Sequence, residues 1–215
     1  RFWFLTYNII LIPLLLIVVN ILASYSSKIK ESIEKRNGLW ERLEEAVSKR
    51  DWQKPLIWFH VASAGEFLQA QPLIVRSIAE GAECAVTYSS VNAYHWLQRP
   101  DQTETQNLLV TEFLPVDKIH NIRRLLGLLQ PSRLVWVSYD LWPNLVWEAH
   151  RQGIPQSLVS GIIHAGSLRT SFFAGRSFYH SLYECLEQIL TVSEADSQRV
   201  LSAIPNHPLV KVMGD

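Results

Sequence analysis

From Pro55 onward the chain alternates short, unbroken apolar runs with longer stretches of helical periodicity, and few folds accommodate that order. The runs at 56–61, 84–88, 108–113, 134–137, 157–159, 189–192 and 209–212 read as strands. Residues 66–79, 91–98, 118–129, 141–152, 178–186 and 194–203 repeat apolar side chains at helical spacing. Strands that stay apolar at every position, rather than every second one, are covered on both faces. The expectation is therefore an α/β body over residues 55–215, a Rossmann-like parallel sheet wrapped by helices. Such sheets bind ligands where strands end and loops turn into helices. With 48% hydrophobic against 19% charged residues the chain can fill that core, which excludes a disordered polymer.

Upstream, Phe2 to Tyr25 carries no charge and is dominated by Leu, Ile, Val and Phe. As a helix at about 1.5 Å per residue it reaches roughly 35 Å, enough for the hydrocarbon layer. Asn8, Pro13 and Asn20 weaken a span, while Trp3, Tyr7 and Tyr25 suit its interfaces. A cleaved signal peptide competes with this reading, but Ser24-Tyr25-Ser26 is a weak cleavage site. The expectation is an uncleaved anchor helix over residues 1–27, passing the inner membrane once. Lys28, Lys30, Lys35 and Arg36 follow it, so the positive-inside bias directs the body to the cytoplasm. Residues 28–54 read as an amphipathic helical segment with a stripe of Ile33, Trp40, Leu43 and Val47, and Leu39 at its edge. It is expected along the membrane or against the body. Arg1 in place of Met, and an end at Asp215 just after an apolar run, suggest a piece of a longer protein.

Twenty basic residues balance twenty acidic ones, so no broad basic field exists for a nucleic-acid backbone. An anionic partner would need a local cluster, for which Arg76, Arg169 and Arg176 are the expected set. Cys84 and Cys185 lie far apart and read as small buried thiols. The seven His are scattered without ligand spacing, so no metal site is expected.

The stretch His60-Val61-Ala62-Ser63-Ala64-Gly65-Glu66 falls where the first strand ends and a helix begins. Small residues such as Ser63 and Gly65 let a backbone approach a ligand, and a helix start presents free N–H groups. Glu66 reads either as a poised base or as an acid that merely favours the helix dipole. Val61 to Gly65 also resembles a hydrolase nucleophile elbow. However, β-branched Val61 replaces its first Gly, which argues against Ser63 as a nucleophile. A second junction is Tyr139-Asp140-Leu141-Trp142-Pro143-Asn144. Asp140 suits a cap and Pro143 a first helical turn. Asp140, Trp142 and Asn144 are equally what a sugar-binding loop would use.

In order along the chain, these segments resemble the Kdo (3-deoxy-D-manno-octulosonic acid) transferases. Gly38-Leu39-Trp40-Glu41-Arg42-Leu43 is similar to the family's G-x-x-x-R-L, and Trp58 to Glu66 to its W-I-H-A-x-S-x-G-E. Leu114-Pro115-Val116-Asp117 is similar to its P-x-D, and Leu141-Trp142-Pro143-Asn144 to its L-W-P-N. Ser193-Glu194-Ala195-Asp196 with Arg199 is similar to its S-x-x-D-x-x-R. The resemblance implies the N-terminal, acceptor-side half of a two-domain GT-B glycosyltransferase. A C-terminal domain outside this chain would bind CMP-Kdo. It further implies a lipid A precursor as acceptor, inversion in one displacement without metal or cofactor, and Glu66 as the base. The chain departs from the pattern at Ser138 and Asp140, where the family has E-x-E, and at Ile162, where it has Arg. Those departures leave open a catalytically silent, membrane-anchored module of the same fold.

Overall fold

The structure is a computed structural model that describes residues 2–99, 107–163, 172–205, 207 and 209–214. Helix α1 (Phe2–Ala23) contains one π-helical turn at Tyr7–Leu11 and leads into α2 (Ser27–Glu34) and α3 (Leu39–Val47). The body then follows: β1 (Leu56–Val61), α4 (Ala64–Ala79), β2 (Glu83–Tyr88), α5 (Val91–Leu97), β3 (Val110–Phe113) and α6 (Ile119–Leu129). It continues with β4 (Arg133–Val137), α7 (Pro143–Arg151), β5 (Gln156–Gly161), α8 (Phe173–Tyr183), β6 (Gln188–Thr191), α9 (Glu194–Ala203) and β7 (Val210–Val212).

All seven strands pair in parallel, in the order β3-β2-β1-β4-β5-β6-β7, so the expected alternation is realised. Trp58, Phe59, Val61, Leu134 and Trp136 are buried, as a sheet covered on both faces requires. Helix starts are set by serines. Ser26, Ser63, Ser90 and Ser193 each accept a hydrogen bond from the N–H three residues on. Such caps stabilise by about 1 kcal/mol each. The order of strands reverses beside β1, which pairs with β2 on one edge and β4 on the other. A crevice opens at such a switch point, outside the carboxyl ends of the two strands.

The segment after α1 differs from the single helical stretch expected. Gly38, at φ +69°, breaks it into α2 and α3. The buried stripe is Leu39, Leu43 and Val47, packed into the main core, while Ile33 stays exposed and Trp40 lies at the core's edge. The turn shifts the phase of the helix, which is why a stripe drawn through Ile33 does not carry across it.

Candidate active site

At the switch point β1 contributes His60 and β4 leads into Asp140. His60 is fully buried, with Nδ1 2.9 Å from Thr87 Oγ1 and Nε2 3.3 Å from Asp140 Oδ2. Thr87 Oγ1 also accepts from Trp58 Nε1 at 2.8 Å. A consistent direction runs from the Trp58 N–H to Thr87, from the Thr87 hydroxyl to His60 Nδ1, and from His60 Nε2–H to Asp140. The same Oδ2 accepts from Ser89 Oγ at 2.9 Å and Trp142 Nε1 at 3.1 Å. Burial pushes the Asp140 carboxyl up, but the bonds from His60, Trp142 and Ser89 outweigh it and hold it below the usual carboxylate range. Asp140 is a fixed negative charge.

Glu66 lies in the first turn of α4 and is only 8% exposed. Its carboxylate accepts from the Ala62 N–H, while its own N–H donates to Ser63 Oγ at 3.3 Å. That closes a reciprocal cap much like a capping box. Burial pushes the Glu66 carboxyl up to about 7; the negative charge of Asp140 adds to this, and the Ala62 N–H opposes it. The cap and the raised carboxyl are therefore properties of one side chain. A carboxyl titrating near neutrality in a crevice is what proton abstraction at physiological pH needs.

Beside this pair lies a groove of about 380 Å³ between α1, α2, the residues after β2, and Trp142. Leu15, Leu16, Val19, Ile29 and Ile33 make it mainly apolar, with Lys28 and Arg36 at its polar side. Arg36 is spent on structure: it donates to the carbonyls of Leu114 and Ser32, and its guanidinium sits 4.5 Å from the Phe113 ring. Burial lowers it to about 10, so it still carries its charge near neutral pH.

The structure thus gathers Ser63, Gly65, Glu66, Asp140 and Trp142 around one crevice, and it relocates other expected residues. Asp140 does not cap α7; Asp117 does so from the loop after β3, accepting from the N–H groups of Asn144 and Leu145 at 2.9 and 3.2 Å. Asn144, expected to orient a sugar, is fully buried, and its amide is shared between the Asp117 carbonyl and Asn8. Of the three arginines expected to gather, the two described ones have partners elsewhere. Arg76 pairs with Glu80 on an exposed face ten residues along α4 from Glu66, about 15 Å away. Arg176 donates to the Ser202 carbonyl near the far end of α9. Arg169 lies outside the described residues. Thr87 and Ser89 belong to the site although the chain's motifs did not single them out, and His60, which opens the motif stretch, carried no role in the reading of the sequence. A histidine inside an apolar strand was the available signal, since a buried polar group needs partners.

Several family-like motifs turn out to be clamps. Gly38 adopts a positive φ beside Arg42, whose guanidinium grips Glu112 and the carbonyls of Asn37 and Lys35. Asp196 holds the Ile163 N–H at 2.8 Å and Arg199 holds the Ile163 carbonyl at 2.9 Å, fixing Ile163 just after β5. Ser138, one of the departures from the pattern, is buried at φ +66°, and Ser160, two residues before the departure at Ile162, sits at φ +50°. Both are strand-end residues in a region that costs about 1–2 kcal/mol without glycine. Among the described residues no group of His, Cys, Asp and Glu could hold a metal ion.

Fold and site together define a Rossmann-like α/β domain with a carboxylate pair at its switch-point crevice. The sequence profile of the 3-deoxy-D-manno-octulosonic-acid transferase (kdotransferase) family matches residues 31–215. The chain belongs to that family. The 3-deoxy-D-manno-octulosonic acid transferase of Bordetella pertussis is 28% identical over 151 residues, covering 70% of this chain and 35% of the relative. That of Chlamydia pneumoniae is 30% identical over 158 residues, covering 72% and 35%. That of Haemophilus influenzae is 22% identical over 172 residues, covering 78% and 37%. The chain spans about a third of the length of these curated relatives. A UDP-GlcNAc 2-epimerase from Neisseria meningitidis overlaps more loosely, with a TM-score of 0.48 and 15% identity over 75% of this chain and 46% of the other.

Proposed function

We propose that this chain is the acceptor-side half of an inverting glycosyltransferase that moves Kdo, or a related sugar, from CMP-Kdo to a lipid A precursor. The observation that carries the reading is Glu66, a carboxyl brought to about 7 at the switch-point crevice, next to an apolar groove. In the reaction the acceptor hydroxyl loses its proton to Glu66 while its oxygen attacks the anomeric carbon. The bond to the CMP phosphate breaks, and its electron pair leaves with the nucleotide. Asp140, held ionised by His60, keeps Glu66 basic enough to take that proton. Trp142 lines the groove and offers an apolar ring to the acceptor, and Lys28 meets an anionic headgroup. The donor is held by a companion domain of the full-length protein, in keeping with the fraction of its relatives that the chain spans. No cofactor is needed for a displacement of this kind. The body works on the cytoplasmic side of the inner membrane, supported by the apolar α1 and the lysines after it.

Glu66→Gln in the full-length protein tests the reading. A positioned base contributes on the order of 10²–10⁴ in rate, so Kdo transfer drops at least about a hundredfold while folding is kept. Ser63→Ala costs far less, because that hydroxyl caps α4. Near-normal transfer by Glu66→Gln ends the case for this base. A second reading, a silent module of the same fold, is favoured by the uncharged Ser138 and Ile162. It prevails if the unaltered full-length protein transfers no sugar.

A further inference from the structure

Helix α1 is long and apolar enough to cross a bilayer, yet its first half, from Trp3 to Ile12, is held against the body by side-chain contacts. Trp3 Nε1 donates to Ser177 Oγ at 2.9 Å, and Phe4 packs edge-on against Trp147. Tyr7 donates to Asp117 Oδ2 at 2.9 Å, and Asn8 exchanges two hydrogen bonds with Asn144, at 2.7 and 2.9 Å. Ile12 is buried, and Leu16 and Val19 line the groove with Ile29, Ile33 and Trp142. Residues 4, 8, 12, 16 and 19 fall on one helical face: the first three are held on the body, and the last two border the groove over the second half of the roughly 33 Å helix. The opposite face is apolar and bare: Ile10, Leu14, Ile17 and Ile21 lie on it, between about 55% and 58% exposed.

We propose that α1 does not cross the bilayer but lies in the plane of one leaflet, docked on the body and presenting its outer face to acyl chains. An upright helix would bring Ser177, Asp117 and Asn144 to hydrocarbon depth beside it, or it would have to leave them. Leaving strips Asn8 and Asn144 of their mutual bonds, and unsatisfied polar groups in hydrocarbon cost several kcal/mol each. Lying flat keeps every one of these bonds and buries only the bare face. Exposed Lys28 and Lys30 follow directly at the helix end, where anionic headgroups would meet them. The occupant is lipid rather than a second copy of the chain. The bare face carries no charge along the whole charge-free run, whereas a protein-facing surface usually closes with a polar rim. The consequence, which rests on the function proposed above, is that the groove beside Trp142 opens at leaflet depth. A lipid acceptor then reaches Asp140 and Glu66 by lateral diffusion, its acyl chains remaining in the membrane.

Depth and sidedness test this without any sugar-transfer assay. Ile10→Cys, Ile17→Cys and Ile21→Cys in the full-length protein carry a fluorophore into vesicles containing phosphatidylglycerol, with lipid-borne quenchers at graded depth. Buried Cys84 and half-buried Cys185 make the unaltered protein the background control. In the docked arrangement all three report one shallow depth, about 5–10 Å below the headgroups. An upright helix separates Ile10 from Ile21 by about 16 Å along the normal, and that gradient overturns the proposal. Absence of lipid quenching at all three positions, with a dimer by light scattering, overturns it in favour of a second copy. Phe2→Cys and Tyr25→Cys add sidedness. An impermeant maleimide labels both from the same side of sealed membranes if α1 lies flat, and from opposite sides if it crosses.

Discussion

Glu66 makes an unusual demand on stability that can be measured. A glutamate ordinarily near 4.5 has been moved to about 7, which at 1.36 kcal/mol per pH unit corresponds to roughly 3 kcal/mol. Solvent at the crevice mouth screens part of this, so about 2 kcal/mol is the expected effect. The raised value means the folded state holds the proton more tightly than the unfolded chain does. This contribution is therefore fully present below pH 4.5 and is lost as pH rises through about 7. Glu66→Gln is blind to that titration. At pH 4.5 it replaces a protonated, neutral acceptor of the Ala62 N–H by another neutral one, so little of that bond is lost there. Denaturant midpoints of the full-length protein and Glu66→Gln, taken at pH 4.5 and pH 8, separate the two effects. The two proteins are close in stability at pH 4.5, and the variant gains about 2 kcal/mol relative to the parent by pH 8. The same proton governs catalysis, so kcat/KM rises with pH through about 7. A stability difference that does not change with pH would show that Glu66 titrates as an ordinary glutamate, and the reasoning from burial and Asp140 would fail.

Other substitutions probe neighbouring parts of the same structure. Asp140→Asn removes a negative charge that helps raise Glu66, so the acidic limb of the kcat/KM profile moves to lower pH; no movement, or a move upward, counts against their coupling. Asp196→Ala leaves the buried Ile163 N–H without its acceptor and Arg199 without its ion partner, so chemical denaturation registers a loss of about 1–3 kcal/mol. Asn144→Ala removes the partner of Asn8 on the body and frees the Asp117 carbonyl, so trypsin and similar proteases gain access around Lys28 and Lys30 as α1 loosens. If proteolysis there is unchanged, the Asn8–Asn144 pair does not hold the helix.

The alternation of buried strands and helices was legible because both periods are local. An unbroken apolar run needs cover on both faces wherever it lies, and a serine before a helical run caps it without help from elsewhere. Glu66 was legible for the same reason, as an acidic residue three positions after Ser63 where a strand gives way to a helix. The span of α2 and α3 was misread because one residue, Gly38, turned through a positive φ and reset the helical phase.

What the tertiary structure alone decided are contacts across distant parts of the chain. Asp140 looked like a helix cap and became the acceptor for His60, eighty residues earlier, because β1 and β4 are neighbours only through the reversal of strand order. Asn144 looked like a ligand-facing amide and became a buried partner of Asn8, 136 residues away. Asp117, on the loop after β3, took the capping role that spacing had assigned to Asp140. The free energy of these contacts comes from excluding water around polar groups brought together by the fold. No local pattern encodes which polar groups will meet. Helix α1 is the sharpest instance: its composition determined that it would seek an apolar medium, and only the side chains of the body, meeting one of its faces, decided how it can lie there.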